Sequence, residues 1–211
     1  MTARGRTFRA PPALLPTVVF SRLERSPKMV PAYRTMVDFL RSLDIEEVPH
    51  TGHKGFLAHL VAVHRDLEAW GCDADVCRAG LFHSIYGTEL FRRWSLPLDR
   101  RDDIRALIGE RAERLAFVNC LMDRGTFDAL LESEGPYRLR NRETGETMEL
   151  TRADYDDLVR VHLCDWLEQV ARSAEWDYRR DAYRRMAKRL GGIAQQAHDQ
   201  VYGAAPATSG A

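Results

Sequence analysis

Apolar residues recur at three- and four-residue intervals along most of the chain, which is the spacing of one face of an α-helix. In the first such segment the apolar positions are Met36, Val37, Leu40 and Leu43. The pattern predicts seven helices, over residues 31–44, 56–70, 73–83, 100–109, 111–123, 151–173 and 178–190. An extension of the last helix to residue 202 is the alternative. The third helix is apolar nearly all round, so we expect it to be central and buried.

The stretch from residue 137 to 150 differs from the rest, because its apolar residues flank a polar turn that contains Gly145. This pattern is typical of a small β-hairpin. The sequence therefore predicts an all-α fold, a helical bundle with a small β-hairpin insertion at 137–150. We expect a flexible arm over residues 1–28, one helical domain over 29–202 and a disordered tail over 203–211.

The chain has 211 residues, of which 45% are hydrophobic and 29% charged, a composition typical of one folded domain. It contains no apolar run of the ~20 residues that a membrane span requires. The first residues lack the apolar core of a signal peptide, so we expect a cytoplasmic protein with no membrane partner. The four cysteines are scattered, which favours buried thiols over disulfides or a zinc site.

The charges balance, with 31 basic and 31 acidic residues. This balance argues against a dedicated nucleic-acid or membrane-surface binder, so a nucleic-acid partner is not expected, whereas a homodimer is compatible with it. Within the balance, 28 of the basic residues are arginines and three are lysines. Two explanations of this bias are open. One is GC-rich codon usage, and the other is that some arginines line an anion site, where the planar fork of guanidinium donors binds better than a point charge.

Five of the seven histidines lie in one third of the chain, at positions 50, 53, 59, 64 and 83. His83 ends the apolar run that begins at Ala79, and His59 lies on the preceding predicted helix, so adjacent antiparallel helices would bring the two rings face to face. A buried imidazole needs a partner, and a metal ion is one option. Asp165 interrupts an apolar helical face and supplies the carboxylate that Fe, Mn or Zn accepts beside imidazole. The alternative for Asp165 is a buried salt bridge to an arginine.

His59, the run Ala79-Gly80-Leu81-Phe82-His83 and the distant Asp165 resemble the H…HD…D pattern of the HD-domain superfamily of metal-dependent enzymes. That resemblance implies an all-helical fold and, in most members, phosphohydrolase activity, with an oxygenase branch. Residues 50–120 more closely resemble a bacterial family of uncharacterised proteins with a His-Ser-x-Tyr-Gly-Thr signature. We therefore expect His59, His83 and Asp165 to hold one divalent ion.

Ser84 stands where the superfamily has the aspartate of its His-Asp doublet. Because serine is a poor ligand for a divalent ion, three outcomes are open: a weaker mononuclear site, a replacement carboxylate from Glu89 or Glu110, or no metal. The diiron oxygenase branch uses further histidines between the doublet and the last aspartate, and none occurs here between His83 and His162.

The remaining candidates are polar residues near these ligands in the sequence. Glu89 or Glu110 is expected to act as general base, and Tyr86 to bond the substrate. The expected substrate-binding residues are His50, His53, Ser84, Thr88 and Arg111. Together they predict a metal-dependent enzyme that acts on a small anionic, possibly phosphorylated, molecule, with hydrolysis favoured. The alternatives are an iron-dependent oxygenase or lyase, and a non-catalytic module that binds a small molecule or a protein.

Overall fold

A computed structural model describes residues 29–52, 54–173 and 175–206. Its helices and strands alternate with short loops, and two 3₁₀ turns lie at Ile45–Glu47 and Leu98–Arg100. In chain order the elements are α1 (Met29–Arg41), α2 (Phe56–Ala69), α3 (Ala74–Leu81), α4 (Arg101–Ile108), α5 (Glu110–Leu121), α6 (Arg124–Ala129), β1 (Tyr137–Arg140), β2 (Thr147–Leu150), α7 (Arg152–Ser173), α8 (Arg180–Leu190) and α9 (Gly192–Gly203). The described chain is therefore mostly helical, as the hydrophobic spacing predicted.

The core consists of two groups of buried apolar side chains that meet along α2. Phe56 and Leu60 belong to one group, which α1, α3 and α5 complete, whereas Val63 and Leu67 belong to the other, which α5, α7 and α8 complete. His59 lies on α2 one residue before Leu60 and four residues before Val63, and it is fully buried. A polar side chain at this position therefore has apolar neighbours from both groups along the helix.

The close approach of α3 to α2 depends on Gly80. A β-carbon at this position would lie 2.2 Å from Cδ1 of Leu67 and 3.4 Å from Cγ1 of Val63, so any larger residue requires the Leu67 side chain to move. Asp73 caps the start of α3 by accepting a hydrogen bond from the Val76 amide. The helix ends at Leu81, and the chain continues through a buried turn to Gly87, whose φ of +74° suits glycine.

The predicted hairpin is present, with Tyr137 paired to Leu150 in an antiparallel register. Residue 122 forms a further bridge to residue 141, so the hairpin lies against the end of α5. The turn that follows Thr88 leads into an irregular loop up to residue 97 and not into a new helix. The predicted last helix, 178–190, corresponds to α8, which ends at Leu190. The alternative extension to residue 202 is a separate helix, α9, because Gly191 and Gly192 both have positive φ, at +62° and +50°.

The four cysteines are free thiols, as predicted, and three of them are buried. Across the described ranges, none of the helices combines the length and the apolar character needed to cross a bilayer. The predicted N-terminal arm over residues 1–28 lies outside the described residues, as do residues 207–211 of the predicted tail. Residue 203 ends α9, so the start of that tail is helical.

Candidate metal centre

Three side chains from distant parts of the sequence converge in the core. Nε2 of His59 lies 3.3 Å from Nε2 of His83 and 3.1 Å from Oδ1 of Asp165, and the distance from Nε2 of His83 to Oδ1 of Asp165 is 3.3 Å. The two histidines are fully buried, and 14% of the Asp165 side chain is exposed. This buried group is one that could hold a metal ion.

Three elements position these ligands. His59 lies in the middle of α2, His83 in the turn after α3, and Asp165 on α7, which packs against both helices. The backbone carbonyl of His83 accepts hydrogen bonds from the amide of Asn119 (2.8 Å) and from the thiol of Cys120 (3.1 Å), both on α5. These bonds fix a residue that lies outside regular helix.

Nδ1 of each imidazole, the ring nitrogen outside the cluster, already makes a hydrogen bond. Nδ1 of His59 donates to Oε2 of Glu168 at 2.5 Å, and Nδ1 of His83 donates to the carbonyl of Gly80 at 2.7 Å. Because each acceptor can only accept, both Nδ1 atoms carry a hydrogen. The two Nε2 atoms and the carboxylate oxygen of Asp165 therefore face one another.

The carboxylate of Glu168 is held by three cationic or donor groups. Besides His59 it contacts the ammonium of Lys54, and Nη2 of Arg172 lies 2.7 Å from Oε2. Burial opposes the charged form of Glu168, but the hydrogen bonds from His59 and Lys54 outweigh it and lower the pKa to about 2. Glu168 is thus a carboxylate behind His59, an arrangement that orients metal-binding histidines in many proteins.

The charges of Asp165 and His59 also depend on the balance between burial and hydrogen bonding. Burial favours the neutral form of Asp165, yet the imidazoles of His83 and His59 hold its pKa well below the usual range. Burial would also lower the pKa of His59, but the hydrogen bonds to Asp165 and Glu168 raise it. The pocket therefore favours a positive charge beside Asp165.

The spacing of the three atoms suits a transition-metal ion. Ligands that lie ~2.1 Å from one ion are about 3.0 Å apart at right angles and about 3.4 Å apart at the tetrahedral angle. The observed separations of 3.1–3.3 Å fall within this interval. Two imidazoles and one carboxylate also form a donor set that Fe, Mn and Zn accept.

A third deeply buried histidine, His162, bonds a residue that holds His83. Nδ1 of His162 donates to Oδ1 of Asn119 at 3.1 Å, and its Nε2 accepts from Nη1 of Arg179 at 2.8 Å. Burial, with the charges of Arg179 and Arg124, places the pKa of His162 well below its usual value. His162 is therefore neutral, with both nitrogens bonded, and it orients the amide that holds the His83 carbonyl.

A cavity of about 510 Å³ opens beside Asp165. Its charged and ionisable lining residues are His50, Arg93, Arg124, Asp165 and Glu175. The ring of His50 stacks on that of His59 with 4.2 Å between centroids. Burial and the neighbouring His59 lower the pKa of His50 to about 4, so this imidazole is neutral at pH 7. A volume of this size accommodates a small organic molecule.

Some of the other predicted residues line this cavity. Ser84 is buried and lines it, and so does Thr88, whose hydroxyl accepts a hydrogen bond from the Phe91 amide. Glu89 is exposed beside the cavity, with Oε2 3.8 Å from Nε of Arg124. His53 lies outside the described residues.

The structure does not bring the remaining candidates to the centre. Tyr86 points away and donates to Oε1 of the buried Glu113 at 2.9 Å. Glu110 is exposed and lines a different cavity together with Arg111. Arg111 is paired with three carboxylates, those of Asp73, Asp154 and Asp157. These two residues start α5, and the first turn of that helix faces solvent and the start of α7.

Sequence reasoning missed Arg124 and Gln169, which line the cavity, and Lys54, which holds Glu168. Gln169 had a usable signal, because it lies four residues after Asp165 and its amide donates to Oδ1 of that residue at 2.7 Å. Arg124 had none, since it is one arginine among 28 and begins a helix of six residues.

Residues 39–124 match a family model described as a domain of unknown function, DUF6817. The matched segment includes His59 and His83 and ends before Asp165. No curated protein matched the chain, and no solved structure matched it.

Proposed function

We propose that this protein is a metal-dependent, HD-like enzyme that acts on a small anionic molecule. Its divalent ion is held by His59, His83 and Asp165, and hydrolysis is the favoured reaction. The observation that carries this proposal is the convergence of two imidazole nitrogens and a carboxylate oxygen, which lie 3.1–3.3 Å from one another in the core. A cation bound among them would balance the charge of the buried Asp165 carboxylate.

The resemblance to the HD-domain superfamily agrees with the same three residues. Ser84 in place of the doublet aspartate leaves a site with one carboxylate ligand, which supports a mononuclear centre. The two carboxylates expected to replace that aspartate, Glu89 and Glu110, are exposed and are not part of the cluster.

A divalent ion held by these three residues would act as a Lewis acid and would lower the pKa of bound water towards ~7. The chain's own residues supply the rest of the site. Glu168 and the Gly80 carbonyl fix the imidazole tautomers, so that both Nε2 atoms remain acceptors. Ser84 and Thr88 place hydroxyl groups along the cavity wall, and Arg124 places a positive charge there.

One observation favours an iron-dependent oxygenase as the second candidate. Two histidines and one carboxylate with open positions are the ligand set of many non-haem iron(II) oxygenases. The hydrolase and the oxygenase share all three ligands, so the identity of the metal and the consumption of dioxygen distinguish them.

The deciding experiment is metal analysis of the full chain, purified without chelator and then reconstituted separately with Zn²⁺, Mn²⁺ and Fe²⁺. We expect about one ion per chain in the wild type. His59→Ala, His83→Ala and Asp165→Asn should each reduce the affinity for the metal ion. The loss should exceed the ~10–100-fold that is typical when a residue hydrogen-bonded to a metal ligand is replaced. His198→Ala is the matched control, because His198 lies on α9 and bonds Asp199.

Phosphate release from phosphomonoesters and dioxygen uptake with the iron form then separate the two reactions. A wild-type protein that binds none of the three ions, or ligand variants that bind them as the wild type does, would contradict the metalloenzyme. Metal binding without either reaction would favour the non-catalytic alternative.

A further inference from the structure

Arg124 has an unusual environment for a largely buried guanidinium. Only 14% of its side chain is exposed, and it lines the cavity beside Asp165. Nη1 donates to the hydroxyl of Tyr178 at 2.6 Å, and Glu89 is 3.8 Å away from Nε. A guanidinium has five N–H donors, and within the described part of the chain Arg124 has no further partner.

Comparable arginines of this protein are paired more fully. Arg179, also 14% exposed, makes two hydrogen bonds to the carboxylate of Asp128. Arg189 bonds Asp156 at 2.6 Å and two backbone carbonyls at 3.0 Å. Among the described residues, the buried side-chain nitrogens that lack a partner include none from Arg124, so its unpaired N–H groups keep contact with solvent. The free donors of Arg124 therefore point to an anionic group that enters the cavity.

The wall around Arg124 is rich in aromatic rings. The rings of Trp166 and Tyr183 stack at 4.9 Å with 5° between their planes, and the ring of Tyr178 lies 5.2 Å from that of Trp166. Phe91 and Leu90 continue this surface, and 64% of Leu90 is exposed. A flat apolar group packs well against such a wall, whereas a bare inorganic anion gains nothing from it.

We propose that the cavity binds a small molecule with a flat apolar body and an anionic group, and that Arg124 holds the anionic group. A carboxylate and a phosphate share this chemistry, because each accepts two parallel hydrogen bonds from one guanidinium. The proposal deepens the proposed function, since the same cavity reaches Asp165, but the anion subsite requires no metal.

Calorimetric titration of the full chain in a chelating buffer tests the subsite, with phenyl phosphate, benzoate, inorganic phosphate and benzyl alcohol as probes. We expect phenyl phosphate or benzoate to bind at least about tenfold more tightly than inorganic phosphate and benzyl alcohol. Whichever of the two aromatic anions binds more tightly identifies the anionic group. Arg124→Gln should weaken that binding about tenfold or more and leave benzyl alcohol unchanged.

Arg138→Gln is the matched control, because Arg138 lies on the exposed face of β1 and pairs with Glu149. Arg124→Lys keeps the charge but loses the fork, so it should give an intermediate affinity. The proposal is overturned if Arg124→Gln binds both aromatic anions as tightly as the wild type does. It is also overturned if inorganic phosphate binds the wild type as tightly as the aromatic anions do, or if none of the probes binds. Because the chelating buffer removes metal from every titration, a negative result here would not contradict the metal centre, and a negative metal analysis would not contradict the anion subsite.

Discussion

Nε2 of His59 and Nε2 of His83 lie 3.3 Å apart, although the other nitrogen of each ring already donates a hydrogen bond. A cation bound between the two Nε2 atoms would contact both rings, and a cation that binds only the folded chain stabilises it.

We therefore expect a divalent ion to raise the melting temperature of the wild type. At a free concentration 100 times the dissociation constant the gain is about 2.7 kcal/mol, or about 5–10 °C for a chain of this length. Differential scanning calorimetry with Zn²⁺ or Mn²⁺ measures the shift. His83→Ala should lose it and His198→Ala should keep it; an equal shift in His83→Ala would contradict a role for this ligand.

Glu168→Gln is expected to weaken metal binding without abolishing it. The amide keeps the shape of the side chain but loses the charge that holds the Nδ1 hydrogen of His59, and such changes cost about 10–100-fold in affinity. Competition with a chromogenic chelator gives the dissociation constant. The control is Glu149→Gln on the exposed hairpin, with wild-type affinity expected. Wild-type affinity in Glu168→Gln would show that this hydrogen bond contributes nothing to the centre.

Glu113→Gln should destabilise the fold strongly. Glu113 is fully buried and accepts hydrogen bonds from Tyr86, from Arg101 at 2.7 and 2.9 Å, and from Arg105. We expect the free energy of unfolding, measured with urea, to fall by about 2–3 kcal/mol. This is less than the ~3–5 kcal/mol lost when a fully buried ion pair is broken, because both arginines are partly exposed. Asp103→Asn, which breaks an exposed pair with Arg100, should cost under about 1 kcal/mol. Equal losses in the two variants would contradict this explanation.

The free energy of unfolding should fall as the pH falls below the ordinary histidine pKa of ~6.5, and His162 should account for part of that fall. Its pKa is lowered in the folded state, so in acid the unfolded chain binds a proton that the folded chain does not. This group's contribution is present above pH ~6.5 and is lost below it at about 1.4 kcal/mol per pH unit.

Urea unfolding of the wild type and His162→Gln between pH 7.5 and 5 measures this contribution. The variant should be less stable at pH 7.5, and the two curves should converge in acid. Curves that stay parallel over the whole range would assign the pH dependence to other groups.

Much of the fold could be predicted because long amphipathic helices have a strong periodic signal. The ends of α2 and α7 agree with the predicted ones within about two residues. The short helix α6 carries no such signal. The end of α8 at Leu190 agrees with the predicted end, whereas the separate helix α9 was only an alternative extension of it. The three ligands could be predicted because a polar residue on an apolar face needs a partner, and Asp165 is such a residue.

The roles of Arg111 and Arg124 could not be assigned in this way. Arg111 adjoins the signature segment in the sequence, yet its helix turns it towards Asp154 and Asp157. Arg124 reaches the cavity because α6 folds back after α5, and no local pattern encodes that direction. In a chain with 28 arginines, only tertiary contacts show which guanidinium lines the cavity.

The order in which the ligands occur along the chain has a consequence for synthesis. His59 and His83 are 24 residues apart, and both precede α5, whereas Asp165 belongs to α7. A nascent chain that lacks α7 therefore presents two imidazoles without the Asp165 carboxylate, so the proposed ion would be captured only after that helix has emerged and docked. Its binding energy would then contribute to the docking of α7.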